Sequence, residues 1–222
     1  STPRGQGIYC LNIGTQGAVI EGNIVANNAA LSDVNAMPLY CMGASYGSGV
    51  GYNNLSIRQN IFYNWRGPVQ MTGPFTTPPS PSAFSGLDGN VFEGNDIQVP
   101  NGSGSGRPAM VLAFSSLPEQ ITFRHNTYFS SLPDGQRLQY GGRSVSLESW
   151  LTSTQDTGST YNRVMYVDPD RTLAMYHASI GGGAATESFL EQARRQRRGA
   201  WRSEYSAPSA AGYIRAGFVV RN

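Results

Sequence analysis

Three carboxylates lie close together in the sequence, at Asp88, Glu93 and Asp96. Two carboxyl groups about 5 to 10 Å apart are what hydrolysis of a glycosidic bond requires. Arg124 and His125 are neighbours, and they offer a cation for a carboxylate and a general acid or base. A histidine at a corner of the fold, stacked on Gln59, is the alternative interpretation of His125. The set is sparse, so the catalytic residues stay unknown, and Asp88, Arg124 and His125 are the candidates.

A second group of residues is suited to binding rather than to catalysis. The long loops "GASYGSGVGYNN" and "GPFTTPPSPSAFS" carry Tyr46, Tyr52 and Phe75, and Tyr9 and Tyr40 each precede a cysteine. Aromatic faces beside amides suit sugar rings, which have apolar faces and hydroxyl edges. These five side chains are therefore predicted to bind substrate. Shielding of an underlying sheet is the alternative.

The composition limits the elements that can position these residues. The 222 residues include 27 Gly and 13 Pro, and only 14% are charged, which favours turns and extended backbone over helical bundles. All the basic side chains are Arg, and the net charge of +2 is too small to indicate a nucleic-acid partner. No apolar run approaches the roughly 18 to 20 residues needed to span a bilayer.

Asparagines recur through the chain at spacings typical of repeat architectures. The repeated positions are Asn23, Asn60, Asn90 and Asn126. Two residues before them stand Glu21, Arg58, Asp88 and Arg124, which alternate in sign. If successive repeats stack as parallel strands about 4.8 Å apart, the charges pair vertically and the amides form a hydrogen-bonded ladder. The repetition therefore predicts a structural scaffold.

The predicted fold is all-β: a right-handed parallel β-helix (solenoid) with a short α-helical C-terminal cap. Residues 1–178 would form the coils, irregular from about residue 131, and residues 179–222 the cap. In the cap, "ATESFLEQARRQRRGAW" is predicted to be a helix capped by Thr186, and "SAPSAAGYIRAGF" a helix capped by Ser206. The arginines in the last turns of the first helix are expected to interact favourably with the helix dipole and to form a solvated face. Docking on an anionic polymer is the alternative.

Cofactor chemistry has little support in the sequence. Stacked repeats would bring Cys10 and Cys41 within the Cα separation of a disulfide, roughly 4.4 to 6.8 Å, and two reduced thiols in an apolar column are the alternative. A metal site of the zinc type needs further Cys or His at close spacing. No cofactor is predicted.

The motifs "GNIV", "QNIF", "GNVF" and "HNTY" resemble those of the pectate-lyase-like superfamily of right-handed β-helix proteins. The ending, with "ESW", "VDP" and "YIRAGF", looks like the C-terminal part of predicted exported bacterial β-helix-repeat proteins. The resemblance implies a fold shared by polysaccharide lyases, glycoside hydrolases and noncatalytic proteins. Lyases of the calcium type would add a carboxylate-bound Ca²⁺ beside a basic residue, for which this chain shows no convincing site.

Together these observations predict an exported protein that interacts with polysaccharide. If it is a lyase or hydrolase, its substrate is expected to be an acidic polysaccharide. It is expected to be the C-terminal part of a lyase or hydrolase whose preceding coils are missing. The alternative is a noncatalytic surface or filament component that uses the fold as a rigid scaffold. Few charges, many small polar residues and two cysteines favour an extracellular, cell-surface or periplasmic location, within a larger chain or assembly.

Overall fold

The computed structural model describes residues 6–11, 17–26, 36–42, 54–65, 67–72, 89–100, 112–114 and 121–221. Within these ranges the strands are β1 (Gln6–Leu11), β2 (Val19–Glu21), β3 (Ile24–Ala26), β4 (Met37–Met42), β5 (Ser56–Arg58), β6 (Ile61–Tyr63), β7 (Val69–Thr72), β8 (Asn90–Glu93), β9 (Asp96–Val99), β10 (Leu112–Phe114), β11 (Ile121–Arg124), β12 (Thr127–Ser130), β13 (Leu138–Tyr140) and β14 (Arg143–Val145). The α-helices are α1 (Leu147–Thr154), α2 (Leu173–Ser179), α3 (Thr186–Arg194) and α4 (Ala207–Gly217).

The chain forms two compact units, Ser1–Arg163 and Val164–Asn222. The first unit contains the three sheets. Their strand orders are β1-β4-β7-β10-β13-β14, β11-β8-β5-β2 and β12-β9-β6-β3. Neighbouring strands pair in parallel, except β13 and β14, which are antiparallel. Consecutive short strands therefore pass from the second sheet to the third, and each strand pairs with its equivalent one repeat later.

A residue with positive φ makes the turn between the second and third sheets in each repeat. These residues are Gly22, Gln59, Gly94, His125 and Gly158. The N–H of Gln59 donates to the carbonyl of Glu93 at 3.0 Å, and the N–H of Gly94 donates to the carbonyl of Arg124 at 3.0 Å. The left-handed conformation lets the chain turn sharply while its peptide groups still bond to the next repeat.

Alternation along the strands fills the interior of the first unit. In the second sheet Ile20, Ile57, Phe92 and Phe123 are register partners, and in the third Val25, Phe62, Ile97 and Tyr128. Most of these side chains are fully buried. The indole of Trp150, on α1, meets Phe123 edge-on at 5.2 Å between ring centroids, so α1 packs against the same core.

The second unit has a core of its own, made mainly of aromatic rings. The ring of Tyr176 on α2 meets Phe189 on α3 edge-on at 5.8 Å, and Phe189 stacks on Tyr205 at 5.4 Å. The phenol of Tyr176 donates to the carbonyl of Glu204 at 2.8 Å. These contacts fix α2, α3 and the short 3-10 turn at Ser203–Tyr205 relative to one another.

The predicted fold class, an all-β right-handed parallel β-helix (solenoid) with a short helical C-terminal cap, is wrong. In the described part of the chain, four α-helices accompany short parallel strands spread over several sheets, which is a mix of helix and strand. Helices α1 and α2 lie where irregular coils were predicted. Their N-caps Ser146 and Thr172 accept hydrogen bonds from the N–H groups of Ser149 and Met175, a local signal that favours a helix.

The two helices that were predicted differ in accuracy. Helix α4 begins after Ser206, whose side chain accepts from the N–H of Ser209, as the sequence indicates. Helix α3 begins one residue earlier than predicted, because Thr186 is its first residue and Ala185 its N-cap. It ends at Arg194, so the arginines that follow extend beyond the helix. The predicted cap, residues 179–222, begins inside the second unit, which starts at Val164.

Candidate functional site

The catalytic candidates are engaged in contacts within the fold or lie outside the described residues. Asp88 is outside them. The guanidinium of Arg124 pairs with the Glu93 carboxylate at 2.9 Å. The exposed His125 occupies a corner, where its ring faces Gly158; a Cβ built on that glycine would lie 2.5 Å from Nδ1. The corner residue of the neighbouring repeat, next to His125, is Gly94 and not Gln59 as predicted. Asp96 accepts a hydrogen bond of 2.7 Å from the Gln98 amide.

An amide ladder runs through the corners of the first unit. Its members are Asn23, Asn60, Asn95 and Asn126. The Oδ1 atom of Asn60 accepts from both the backbone and side-chain nitrogens of Asn23, each at 3.0 Å. The same two hydrogen bonds join Asn60 to Asn95 and Asn95 to Asn126. The backbone N–H of Asn126 then donates to Ser159 Oγ at 2.8 Å. Each buried amide thus joins neighbouring repeats.

The predicted ladder contained Asn90 and Asp88 where the structure has Asn95 and Glu93. Asn90 is buried elsewhere, at the start of β8, and its Oδ1 accepts from the N–H of Leu55 at 2.9 Å. Glu93 is the register partner of both Arg58 and Arg124. The alternation of charge is therefore Glu21, Arg58, Glu93, Arg124, with ion pairs of 3.1 Å between Arg58 and Glu21 and of 2.9 Å between Arg124 and Glu93.

A buried carboxylate anchors the last repeat. Asp156 accepts from the phenol of Tyr128 at 2.8 Å and from the indole of Trp150 at 3.2 Å. It also accepts from the Ser159 hydroxyl, whose oxygen in turn accepts the hydrogen bond from the backbone N–H of Asn126. Burial, followed by the charge of Asp156, raises the pKa of Tyr128 well above its usual value. Tyr128 therefore stays protonated and donates throughout the neutral range.

Most of the predicted substrate-binding side chains lie outside the described residues. Tyr46, Tyr52 and Phe75 are outside them entirely. Tyr9 and Tyr40 are register partners in β1 and β4, and the structure describes their backbone alone. The adjacent Cys10 and Cys41 are also partners, and Cys41 is buried. Sugar binding by these five side chains stays a prediction.

The described residues present a different aromatic surface, on the outer face of the third sheet. The inward side chains Phe62, Ile97 and Tyr128 alternate with outward ones. The register partners on this opposite face are Ala26, Tyr63, Gln98 and Phe129; Gln98 is 1% exposed and the other three are half-buried. Tyr161 adds a second ring, 6.2 Å from that of Phe129 between centroids. The sequence offers no repeat signal for Tyr161, because it lies beyond Asn126, the last of the repeated asparagines.

Two arginines stack on these rings. The guanidinium carbon of Arg137 lies 4.1 Å from the centroid of Tyr161, and that of Arg163 lies 5.7 Å from the centroid of Phe129. These four side chains are called the aromatic–arginine patch below. The phenol of Tyr161 donates to the carbonyl of Ser130 at 3.1 Å, and burial raises its pKa to about 12. The Gln98 amide donates to the carbonyl of Asn162 at 3.3 Å, which holds this segment on the sheet.

A guanidinium group that lies over an aromatic ring keeps N–H groups at its edge, where a carboxylate can be bound. The patch therefore combines two chemistries, apolar ring surface and cationic donors. In the described part of the chain, no group of three or more His, Cys, Asp or Glu side chains is arranged to hold a metal ion. None of the described helices has the length and apolar character to cross a bilayer. No family model, curated protein or solved structure matches this chain.

Proposed function

We propose that this protein is exported and binds an acidic polysaccharide through the aromatic–arginine patch. The observation that carries the proposal is the placement of the Arg137 guanidinium over the ring of Tyr161 and of the Arg163 guanidinium over the ring of Phe129. Sugar rings have apolar faces that pack on aromatic rings, and uronic sugars add a carboxylate. A carboxylate is the anion that a guanidinium binds with two parallel hydrogen bonds.

The local structure prepares the patch for binding. Phe129 is held in β12, Tyr161 is fixed by its bond to Ser130, and Arg137 donates from Nε to the carbonyl of Leu132. Side chains held by such contacts lose little rotamer freedom when a ligand binds. The phenol of Tyr161 carries no negative charge at neutral pH, so it does not repel an acidic glycan.

Binding to uronic polysaccharide tests the proposal. The protein is titrated by calorimetry with polygalacturonate and with a neutral glucan of similar length. We expect binding to polygalacturonate that weakens as salt rises, and at least tenfold weaker binding by the double variant Arg137→Gln, Arg163→Gln. Arg143→Gln, an exposed arginine on β14, is the matched control and should bind normally. Equal binding by the double variant and the parent would overturn the proposal.

A noncatalytic structural role is the second candidate. The amide ladder and the cross-repeat ion pairs favour it, because they use polar side chains to join neighbouring repeats. The same incubations, monitored for the ultraviolet absorbance of unsaturated sugar products, separate the roles. Product formation indicates a lyase, binding without product removes the lyase, and absence of binding favours a scaffold.

A further inference from the structure

The segment after α3 is a compact loop with strong positive charge. Between Arg194 and Arg202 the chain contains five arginines, at 194, 195, 197, 198 and 202, and no acidic residue. Arg195 pairs with Glu191, and Arg202 pairs with Glu204 at 3.2 Å. In the described ranges no carboxylate pairs with Arg194, Arg197 or Arg198, whose side chains are exposed.

Hydrogen bonds hold this loop in shape. The side chain of Gln196 donates to the carbonyl of Gln192 on α3 at 3.0 Å, and it accepts from the N–H of Arg202 at 2.7 Å. Within the loop the N–H of Ala200 donates to the carbonyl of Arg197 at 2.9 Å. Gln196 thus closes residues 196–202 into a ring, on which Arg197, Arg198 and Trp201 are displayed.

Trp201 is the unusual member of the loop. Its side chain is 62% exposed, whereas Trp65 and Trp150 are 8% and 0% exposed. A large aromatic side chain exposed among unpaired arginines has the composition of a segment that lies in the interface of an anionic bilayer. There the indole enters the headgroup region, and guanidinium groups bind lipid phosphate.

The surrounding unit has further apolar surface. Large exposed hydrophobic side chains occur at Met165, Val167, Met175, Leu190, Val219 and Val220, all in the second unit. A polysaccharide would use the arginines but would gain little from an aliphatic side chain such as that of Leu190, which lies one turn before Arg194 on the same face of α3. A bilayer interface uses both, since buried apolar area and attraction to anionic lipid add in interfacial binding. The observations therefore favour a membrane surface over a soluble polyanion.

We infer that the arginine loop, Arg194 to Arg202, docks this protein on the surface of an anionic phospholipid bilayer, with Trp201 inserted at headgroup level. The inference is independent of glycan binding by the patch, which belongs to the first unit. Peripheral binding of this kind involves no membrane-spanning segment. Each arginine near the surface is expected to strengthen binding about fivefold, so three together give about a hundredfold.

Vesicle binding by the whole chain tests the inference. Vesicles of phosphatidylcholine alone are compared with vesicles containing about 30% phosphatidylglycerol, by co-sedimentation and by tryptophan fluorescence. We expect binding to the anionic vesicles only, together with a blue shift, because Trp201 is the exposed tryptophan. The triple variant Arg194→Gln, Arg197→Gln, Arg198→Gln should bind about a hundredfold more weakly, and Trp201→Phe should lose the blue shift.

Several outcomes would overturn the inference. They are equal binding to both kinds of vesicle, unchanged binding by the triple variant, and a parent that binds polygalacturonate through these arginines while ignoring anionic vesicles. Arg143→Gln, an exposed arginine on β14 outside both the loop and the patch, is the matched control and should bind vesicles normally. Because the substituted side chains are exposed, the circular dichroism spectrum and Tm of the triple variant should match those of the parent.

Discussion

Asn95, like Asn60, makes the full set of ladder contacts on both sides. Its Oδ1 accepts from Asn60, and its Nδ2 donates to Asn126 and to the carbonyl of Ile57 at 2.9 Å. Asn95→Ala should lower the free energy of unfolding by about 2 to 4 kcal/mol, because it leaves buried amide groups without partners. Urea denaturation followed by circular dichroism measures the change.

Asn23→Ala is the control for this prediction. Asn23 is half-buried and bonds to a single ladder neighbour, Asn60, so about 1 kcal/mol is expected. Equal losses for the two variants would contradict a ladder whose strength depends on burial.

The sequence could locate the ladder but not every member of it. The stretch "GLDGNVFEGN" repeats its own pattern after five residues. Asn90 has an acidic residue two positions before it and an aromatic residue two positions after; Asn95 has Glu93 and the apolar Ile97 at the same places. Both alignments satisfy the charge and burial rules. Only the pairing of β8 with β5, which opposes Glu93 to Arg58, separates them.

Tyr161 should make the protein sensitive to alkali. Its folded-state pKa, about 12, is above the usual 10.0, so the native state holds the phenolic proton more tightly than the unfolded chain. The resulting stabilisation is complete below about pH 10 and is lost as the pH rises towards 12. We expect Tm to fall less steeply over this range in Tyr161→Phe than in the parent, by calorimetry. Parallel curves would contradict the assignment, since Tyr128 titrates in both proteins.

At the scale of elements, two side chains cap the start of α1. Ser146 Oγ accepts from the N–H of Ser149 at 3.1 Å, and the Asp134 carboxylate accepts from the N–H of Leu147 at 3.1 Å. Ser146→Ala should cost about 1 kcal/mol of stability, measured by urea denaturation. Ser146→Asp keeps the cap and should stay within about 0.5 kcal/mol of the parent. A matching loss in both variants would mean that the hydroxyl has another role.

Helices were harder to predict than the repeats, for a physical reason. Helix α4 has a serine cap and an early proline, and it spans 11 residues, enough for an apolar stripe to show. Helices α1 and α2 have 8 and 7 residues, so each spans only about two turns over which a period can show. Their stability depends on packing, as with Trp150 against Phe123, and contacts of this kind are absent from a local pattern.

At the scale of the whole molecule, the parallel pairing of equivalent repeats followed from the asparagines and charges, whereas the fold class did not. The fold class depends also on the segments outside the repeats. In the second unit those segments form a helical core around Phe189, Tyr176 and Tyr205. The aromatic–arginine patch was missed for a related reason. Tyr161 follows Phe129 by 32 residues and follows Arg137 by 24, and only the folded chain brings these side chains together.

The separate cores of the two units lead to a prediction about unfolding. Phe123, 1% exposed, belongs to the first core, and Phe189, 4% exposed, to the second. Each substitution to alanine should cost about 3 to 5 kcal/mol in its own unit. Scanning calorimetry should show two transitions, with Phe123→Ala lowering one and Phe189→Ala the other, because each unit buries its own apolar side chains. A single transition that both variants lower equally would mean that the two cores unfold as one cooperative structure.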